Sequence, residues 1–298
     1  MEIAVAGYII YNGFWNPDGP PDPVRRLADA AKERGRTLTP VPNTGAAAEF
    51  SGGVTVAGFD ASDFALFWDK DVRLGRALEA LGMRLYNPAE VVAVCDDKAA
   101  TQLRLAAEGV PMPRTLVAPM TYLHMDEGPS RFFLERAEER LGFPMVVKEC
   151  YGSLGGQVYL IRSGAELRAL CDHMAARPFL CQEFVEASAG TDIRIYVVDG
   201  WPVAAMRRHS ETDFRANIGA GGKGEAYTPT EEEAALAVKC CRLLGAQFAG
   251  VDLLTGADGS PLVCEVNSNA HMAAVTACTG VDVAGSIVDL VFSKERQR

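Results

Sequence analysis

Residues 248–267, FAGVDLLTGADGSPLVCEVN, place two apolar runs on either side of a polar segment, which is the pattern of a β-hairpin. The Asp-Gly pair at 258–259 favours a two-residue turn, and a turn centred there sets Asp252 directly opposite Glu265. Asn267 shares their face because side chains alternate along a strand. Two facing carboxylates destabilise a sheet unless a cation neutralises them, and carboxylate and amide oxygens suit magnesium. The hairpin therefore predicts a metal site at Asp252, Glu265 and Asn267, with a solvated acidic face as the alternative.

The composition is that of an ordinary globular protein. A chain of 298 residues is long enough for two or three domains. Its 48% hydrophobic and 23% charged residues are typical of a packed, folded protein. The formal net charge of -10 argues against general nucleic-acid binding, which depends on lysines and arginines that neutralise phosphates.

The cysteines and the N-terminal sequence favour a reducing compartment. The eight cysteines are scattered, and no two have Cys-x-x-Cys spacing, so zinc and dithiol sites are not expected. The sequence begins directly in an apolar run without the features of a secretion signal. No stretch approaches the roughly 18 consecutive apolar residues of a membrane span. We therefore expect a cytoplasmic protein without a membrane segment.

Three parts follow one another along the chain. Alternating strand and helix patterns predict a parallel α/β domain over residues 1–95. Two prolines keep residues 110–113 extended and indicate a domain junction. Residues 96–180 are assigned to a small central lid unit, and residues 181–298 to a unit of strands, hairpins and one amphipathic helix. The expected fold class is thus α/β and α+β.

A glycine loop follows Lys148, which ends an apolar strand; the loop is YGSLGG at 151–156. Glycines let backbone N–H groups approach phosphate oxygens, and a neighbouring ammonium adds positive charge. The segment therefore predicts a phosphate-binding loop, with a structural hairpin loop beside an exposed lysine as the alternative. The loop residues assigned to cofactor binding are Gly152, Ser153, Gly155 and Gly156.

The run LCQEFV at 180–185 predicts a strand whose exposed backbone pairs with the edge of an adenine. The ring of Phe184 would line the base. An ordinary core strand is the alternative. The residues assigned to this adenine segment are Gln182, Glu183, Phe184 and Val185.

A basic cluster follows this strand. If residues 199–200 form a hairpin turn, Asp192 faces Arg207, and Arg194 lies on the same face. Arg208 directly follows Arg207, and Arg215 comes shortly afterwards. So dense a basic cluster in an acidic protein indicates an anionic ligand, with a cross-strand salt bridge as the alternative.

The order of these segments resembles the ATP-grasp superfamily, and most closely its RimK-like branch, the α-L-glutamate ligases and their relatives. The likeness covers residues 85–292, while residues 1–84 match only as a generic α/β domain. Many relatives read Ser-Ser/Ala-Pro-Gly after the Glu-x-Asn, where this chain has Ser268-Asn269-Ala270-His271. The acceptor side is therefore left open. The matching segments are Asp97-Lys98, Val147-Lys148, Gln182-Glu183-Phe184-Val185, Asp192-Ile193-Arg194, Asp213-Phe214-Arg215-Ala216-Asn217 and Glu265-Val266-Asn267-Ser268-Asn269.

The resemblance implies an ATP-grasp fold: an N-terminal parallel α/β domain, a small lid domain and a C-terminal α+β domain, with ATP bound between the last two. It implies that Lys98 and Lys148 hold the phosphates of ATP. The backbone of Glu183 and Phe184 would contact adenine, and Asp192 would bind the ribose.

The same resemblance implies a metal centre and an anion-binding group. Asp252, Glu265 and Asn267 would bind two magnesium ions, with Mn²⁺ as the alternative metal and Glu265 shared between the ions. The residues facing the γ-phosphate and an acyl phosphate would be Arg207 and Arg215, as catalytic residues, and Asn217.

The implied activity is ATP- and magnesium-dependent ligation of a carboxylate to an amine through an acyl phosphate. The expected partners are a small-molecule or peptide carboxylate and an amine, with glutamate or another amino acid as the group added. One alternative is a nucleotide-binding regulatory protein without turnover. Another is a ligase acting on a carrier protein or a biosynthetic small molecule. The oligomeric state, a homo-oligomer included, is left open.

Overall fold

The structure, a computed structural model, describes residues 6–61, 63–122, 131–152 and 155–296. Its first part consists of β1 (Ala6–Tyr11), α1 (Asp22–Glu33), β2 (Thr37–Pro42), β3 (Ala48–Phe50), β4 (Val54–Val56), β5 (Phe64–Trp68), α2 (Val72–Leu81), β6 (Arg84–Tyr86) and α3 (Ala89–Asp96). Four of these strands form a parallel sheet in the order β2-β1-β5-β6. Strands β3 and β4 form a separate antiparallel hairpin. The predicted parallel α/β architecture is confirmed.

The ends of α2 follow from local chemistry. Asp71 caps the helix because its carboxylate accepts a hydrogen bond from the N–H of Leu74 at 3.1 Å. The helix ends at Gly82, whose φ of 111° belongs to the left-handed region that favours glycine. Strand β5 beside it is buried along its whole length, since apolar clusters cover both of its faces.

Helix α4 (Lys98–Ala106) leads into the second part, which is a small antiparallel sheet covered by two helices. Its elements are β7 (Thr115–Val117), α5 (Arg131–Leu141), β8 (Met145–Glu149), β9 (Val158–Ile161), α6 (Gly164–Met174) and β10 (Phe179–Glu183). The strand order is β7-β10-β8-β9. Phe133 of α5 and Leu167 of α6 pack with Met145 and Phe179 of the sheet in one apolar core.

The third part contains the predicted hairpins. Its elements are β11 (Thr191–Val198), β12 (Trp201–His209), β13 (Lys223–Ala226), α7 (Glu231–Leu244), β14 (Phe248–Thr255), β15 (Pro261–Asn267), α8 (Ala273–Thr279) and α9 (Val283–Arg296). The sheet order is β13-β12-β11-β14-β15, and neighbouring strands are antiparallel. Within the described ranges, no single helix has the length and apolar character to cross a membrane, although α8 and α9, bent by 112°, meet those criteria as a pair.

The first and third sheets share a hydrophobic core. Phe64 of β5 meets Phe292 of α9 edge to face, with ring centroids 5.7 Å apart. Trp68, at the end of β5, stacks on Phe248 of β14 at 6.0 Å. Such contacts hold the carboxyl edge of the parallel sheet against the third sheet.

Helix α4 does not pack according to the predicted boundary at residue 96. Leu105 of α4 and Val110 after it lie in the same buried cluster as Leu236 of α7 and Val251 of β14. The residues at the start of the predicted lid unit therefore belong, by their packing, to the core of the third sheet.

Asn87 is a polar link between the first and third parts. Its side chain is fully buried. The Nδ2 group donates to the carbonyl oxygens of Phe248 at 2.8 Å and Ser268 at 3.3 Å. The Oδ1 atom accepts from the N–H of Gln247 at 2.7 Å. One amide side chain thus satisfies backbone groups on two elements of the third part.

Replacing Asn87 with Ala should lower the free energy of unfolding by about 2–4 kcal/mol, because several buried backbone groups lose their partners. Urea denaturation followed by circular dichroism measures this loss. Asn16→Ala removes a side-chain hydrogen bond within one surface loop and is the matched control. Similar losses in the two variants would contradict the role assigned to Asn87.

Candidate functional site

Strands β14 and β15 bring the two predicted metal carboxylates together. Asp252 pairs directly with Glu265, as predicted. The connection is nevertheless a five-residue loop at 256–260 rather than a two-residue turn, because Thr255 pairs with Pro261. A bulge at Cys264 inserts one extra residue and corrects the register. The facing is thus confirmed, whereas the predicted Asp-Gly turn is wrong.

Asp252 is neutralised by arginines. Its carboxylate accepts two hydrogen bonds from Arg194, from Nε and Nη2, both at 2.6 Å. Arg208 Nη2 lies 3.0 Å from Asp252 Oδ2, and Arg208 also binds Asp192 through Nε at 2.6 Å. Two carboxylates and two guanidinium groups thus alternate in a buried cluster, so two arginines balance the charge of Asp252 in this structure.

Burial and pairing act in opposite directions on these carboxylates. Burial alone would raise the pKa of Asp252, but Arg194 and Arg208 together hold this pKa below its ordinary value. For Asp192, burial is the larger effect and raises the pKa despite the attraction of Arg208. Arg194 keeps its charge, since the attraction of Asp252 outweighs the burial that would lower its pKa.

The β11–β12 hairpin corrects one predicted pair. Its turn lies at 199–200, as predicted, because Val198 pairs with Trp201. A register shift between Tyr196 and Val197 then places Asp192 opposite Arg208 instead of Arg207.

Arg207 lies on the opposite face of the sheet. Its guanidinium group stacks over Tyr227, 4.4 Å from the ring centroid. The predicted facing of Asp192 and Arg207 is therefore wrong, and the cross-strand salt bridge is formed by the next arginine along the chain.

Both predicted lysines lie beside the metal hairpin. Lys98 Nζ is 3.7 Å from Glu265 Oε1 and donates to the carbonyl oxygen of Gly152 at 3.1 Å. Lys148 Nζ is 3.5 Å from Cys264 Sγ, at the bulge. Both lysines are buried. Two ammonium groups, one from the start of helix α4 and one from strand β8, therefore lie beside the strand that carries Glu265.

The glycine loop is held from its far side by Arg215. Gly152 and Gly155 have φ angles of 143° and 75°, which only glycine adopts readily. Arg215 Nη1 donates to the carbonyl oxygen of Gly155, and Arg215 Nη2 pairs with Asp213 at 2.7 Å. A Cβ atom on Gly155 would lie 3.3 Å from Asn217 Oδ1. Gly156 continues the turn before β9, and the predicted Ser153 lies outside the described residues.

Part of the predicted adenine segment belongs to β10, which is an interior strand of the second sheet. Gln182 is buried, and its Nε2 donates to Thr115 Oγ1 at 2.9 Å. The N–H of Glu183 donates to the carbonyl oxygen of Arg114 at 2.9 Å. Strand β10 lies between β7 and β8, so the prediction of an exposed strand backbone is wrong through Glu183. Phe184 and Val185 follow the end of the strand, and Phe184 packs edge to face on Phe214.

The oxygen donors fit a hard cation. Glu265 retains 27% of its side-chain exposure, and Asp252 Oδ1 accepts only the bond from Arg194 among the described contacts. Asn267 Nδ2 lies 3.4 Å from Asp252 Oδ2, so its amide belongs to the same group. Across the parts that the structure covers, no three His, Cys, Asp or Glu side chains cluster as a metal site. The candidate donor set is thus two carboxylates and one amide.

Sequence reasoning missed the pairing role of Arg208 and the bulge at Cys264. Arg208 was visible as the second of two adjacent arginines, but only the register decides which of them faces Asp192. No residue type in the hairpin at 248–267 marks the bulge position.

Comparisons with known proteins match most of the chain to one family. A model of the RimK-like ATP-grasp domain matches residues 95–291. The chain is 38% identical over 229 residues to beta-citrylglutamate synthase B of Danio rerio, with 76% of this chain and 54% of that protein covered. It is 35% identical over 281 residues to a probable alpha-L-glutamate ligase of Xanthomonas oryzae pv. oryzae (strain MAFF 311018), with 89% and 91% covered.

The fold is similar to that of a RimK domain protein ATP-grasp from Sphaerobacter thermophilus DSM 20745. The TM-score is 0.72 at 24% identity, and 96% of this chain and 99% of that chain are covered. The chain spans about half the length of the synthase from Danio rerio, as its 54% coverage shows. The domain match and the identity to the bacterial ligase show that the chain belongs to the RimK-like ATP-grasp family.

Proposed function

We propose that the chain is a carboxylate–amine ligase that uses ATP and magnesium and forms an amide bond with release of ADP and phosphate. One observation carries the proposal: Lys98 contacts both Glu265 and Gly152, Lys148 lies beside Cys264 next to Glu265, and Arg215 contacts Gly155. Such a set of cations around a glycine loop suits a polyphosphate, and the facing carboxylates suit its metal.

Lys98 and Lys148 are proposed to bind phosphate oxygens. Lys98 Nζ contacts the carbonyl oxygen of Gly152 in this structure. If a phosphate bound there, the ammonium group would replace this neutral partner with a negatively charged one. The N–H groups around Gly155 and Gly156 would complete the contact. Phe184 and Val185, which lie past the end of β10, would supply the backbone contacts to adenine, and Asp192 would bind ribose from within its pair with Arg208.

Asp252, Glu265 and Asn267 are proposed to hold magnesium, as two ions that share Glu265, with Mn²⁺ as a substitute. Magnesium, when bound, would neutralise charge on the transferring phosphoryl group. Arg194 and Arg208 keep Asp252 ionised and fixed in direction. The protein's own contribution is therefore positioning and electrostatics.

The proposed reaction has two steps. A carboxylate oxygen of the acid attacks the γ-phosphorus, the bond to the bridging oxygen breaks, and ADP leaves with that electron pair. The amine then attacks the carbonyl carbon, loses a proton and expels phosphate. We propose Arg215 at the transferring group, supported by its contact with the glycine loop, and Asn217 beside it. Arg208 replaces Arg207 in this proposal, because Arg207 lies on the other face.

The names of two relatives point to the amine. Both the synthase from Danio rerio and the probable ligase from Xanthomonas oryzae carry glutamate in their names. We therefore propose L-glutamate as the amine and a small-molecule or peptide carboxylate as the acid.

We propose a cytoplasmic location for the protein. All eight cysteines are free thiols, which a reducing compartment maintains.

Replacing Glu265 with Gln should abolish turnover and weaken magnesium dependence while the fold is kept, because one ligand charge is lost at constant shape. ADP release measured over a magnesium titration, with circular dichroism on the same sample, checks this. Glu225→Gln on the edge strand β13 is the control. Normal ADP release by Glu265→Gln at ordinary magnesium would rule out the assignment.

Arg215→Ala should lower kcat by about 100-fold or more, since a lost charge-assisted contact at a transition state typically costs a few kcal/mol. Its melting temperature should change little, because the side chain is partly exposed. Arg207→Ala is the matched control and should remain active. Equal losses of kcat in both variants would restore the catalytic role first predicted for Arg207.

ATP and the acid without amine should give a hydroxamate when hydroxylamine is added, with ADP as coproduct. The expectation follows from direct transfer of the γ-phosphate to the carboxylate. Mass spectrometry of the hydroxamate and chromatography of the nucleotides provide the measurement. AMP with pyrophosphate would mean adenylation, and nucleotide binding without either product would favour the regulatory alternative.

A further inference from the structure

A cluster of polar side chains, Asp69, Asn12 and Asn269, lies where the first sheet meets the strand of the metal carboxylates. Asp69 directly follows β5 at the carboxyl edge of the parallel sheet, an edge where ligands of such sheets bind. Asn12 follows the neighbouring strand β1, and its Nδ2 donates to Asp69 Oδ1 at 3.3 Å. Asn269 lies two residues beyond the end of β15, and its Nδ2 donates to the carbonyl oxygen of Asp69 at 3.1 Å.

Two buried oxygen atoms of this cluster accept no hydrogen bond from the residues that the structure describes. Asp69 Oδ2 and Asn269 Oδ1 are both buried, and neither has a hydrogen-bond partner within the described residues. Asp69 is only 4% exposed. Its Oδ1 accepts from the N–H of Lys70 at 2.6 Å as well as from Asn12. A buried oxygen of this kind normally has a hydrogen-bond partner, because leaving it without one is unfavourable.

The hydrogen-bonding character of these two oxygen atoms indicates the kind of ligand that the cluster would bind. The orientation of the Asn269 amide follows from its neighbour, because a backbone carbonyl can only accept and must face Nδ2. Both open atoms are therefore acceptors. The nearest ammonium along the chain cannot serve Asp69, since Lys70 Nζ is bound to Asp96. A group with several N–H donors and a positive charge matches this pair of acceptors.

We infer that Asp69 and Asn269 form the subsite that receives the ammonium group of the amine substrate. This inference rests on the proposed ligase function. It places the amine between the first sheet and the strand that carries Glu265 and Asn267. Asn269 also lies in the segment where this chain departs from the Ser-Pro-Gly pattern of many relatives, so the subsite belongs to the acceptor side that the resemblance leaves open.

The test compares two ligands that differ in one group. L-glutamate and glutarate carry the same two carboxylates, but only L-glutamate has the ammonium. Isothermal titration calorimetry on the full chain, with magnesium and the non-hydrolysable analogue AMP-PNP present, should show tighter binding of L-glutamate by about 10- to 100-fold, the usual effect of a charged hydrogen bond. Absence of this preference in the unaltered protein would overturn the subsite.

Variants assign the preference to the two side chains. Asp69→Asn and Asn269→Leu should each reduce it to about threefold or less, because an acceptor is replaced by a donor or by an apolar group. Asp71→Asn is the matched control: it removes the same charge two residues away but keeps a good helix cap. An equal loss in Asp69→Asn and Asp71→Asn would show a general charge effect and reject the inference.

Hydroxamate trapping separates this inference from the proposed function. Formation of the acyl phosphate needs ATP and the acid but no amine, so Asp69→Asn should trap hydroxamate within about twofold of the unaltered rate. A much larger loss would make Asp69 part of the phosphate chemistry and overturn its assignment to the amine. Absence of hydroxamate from the unaltered protein would refute the ligase proposal, whereas hydroxamate formation without a preference for L-glutamate over glutarate would refute the subsite alone.

Discussion

The alternating charges of Asp192, Arg208, Asp252 and Arg194 are the interaction on which the site depends. They lie on three adjacent strands of the third sheet, and Arg208 joins the two carboxylates. Removing Arg208 would leave Asp192, and removing Asp252 would leave Arg194, without its charged partner in this cluster, at a cost of about 3–5 kcal/mol. The cluster therefore holds Asp252 ionised and immobile, which is what a metal ligand or a phosphate-facing group requires.

Two backbone irregularities create this arrangement. The bulge at Cys264 places Glu265 on the face of Asp252, and the register shift after Tyr196 places Arg208 on the face of Asp192. Because side chains alternate along a strand, a shift of one residue decides whether a group points to the site or away from it. Arg207 shows the consequence, since the adjacent position on the same strand stacks on Tyr227 instead.

The proposed site takes residues from all three sheets. The third sheet supplies the carboxylates, the second supplies Lys148 and the glycine loop, and the first supplies the edge at Asp69. Helix α4 connects them, because it packs in the core of the third sheet while Lys98 at its start reaches Gly152. Lys98 and Arg215 both contact backbone carbonyl oxygens of the glycine loop, at Gly152 and Gly155, so movement of the loop would alter both contacts together.

The sequence by itself determined the parallel first sheet and the family resemblance, because strand periodicity and the order of motifs can be read along the chain. The facing of Asp252 and Glu265 follows from a predicted turn that the structure does not form, and it holds only because the bulge at Cys264 restores the register. The tertiary structure alone decided which arginine faces Asp192, that β10 is an interior strand, and that α4 packs with the third sheet. It also placed Asn269 against Asp69, 200 residues away in sequence. Register, strand neighbours and burial depend on contacts between distant segments, which no local pattern encodes.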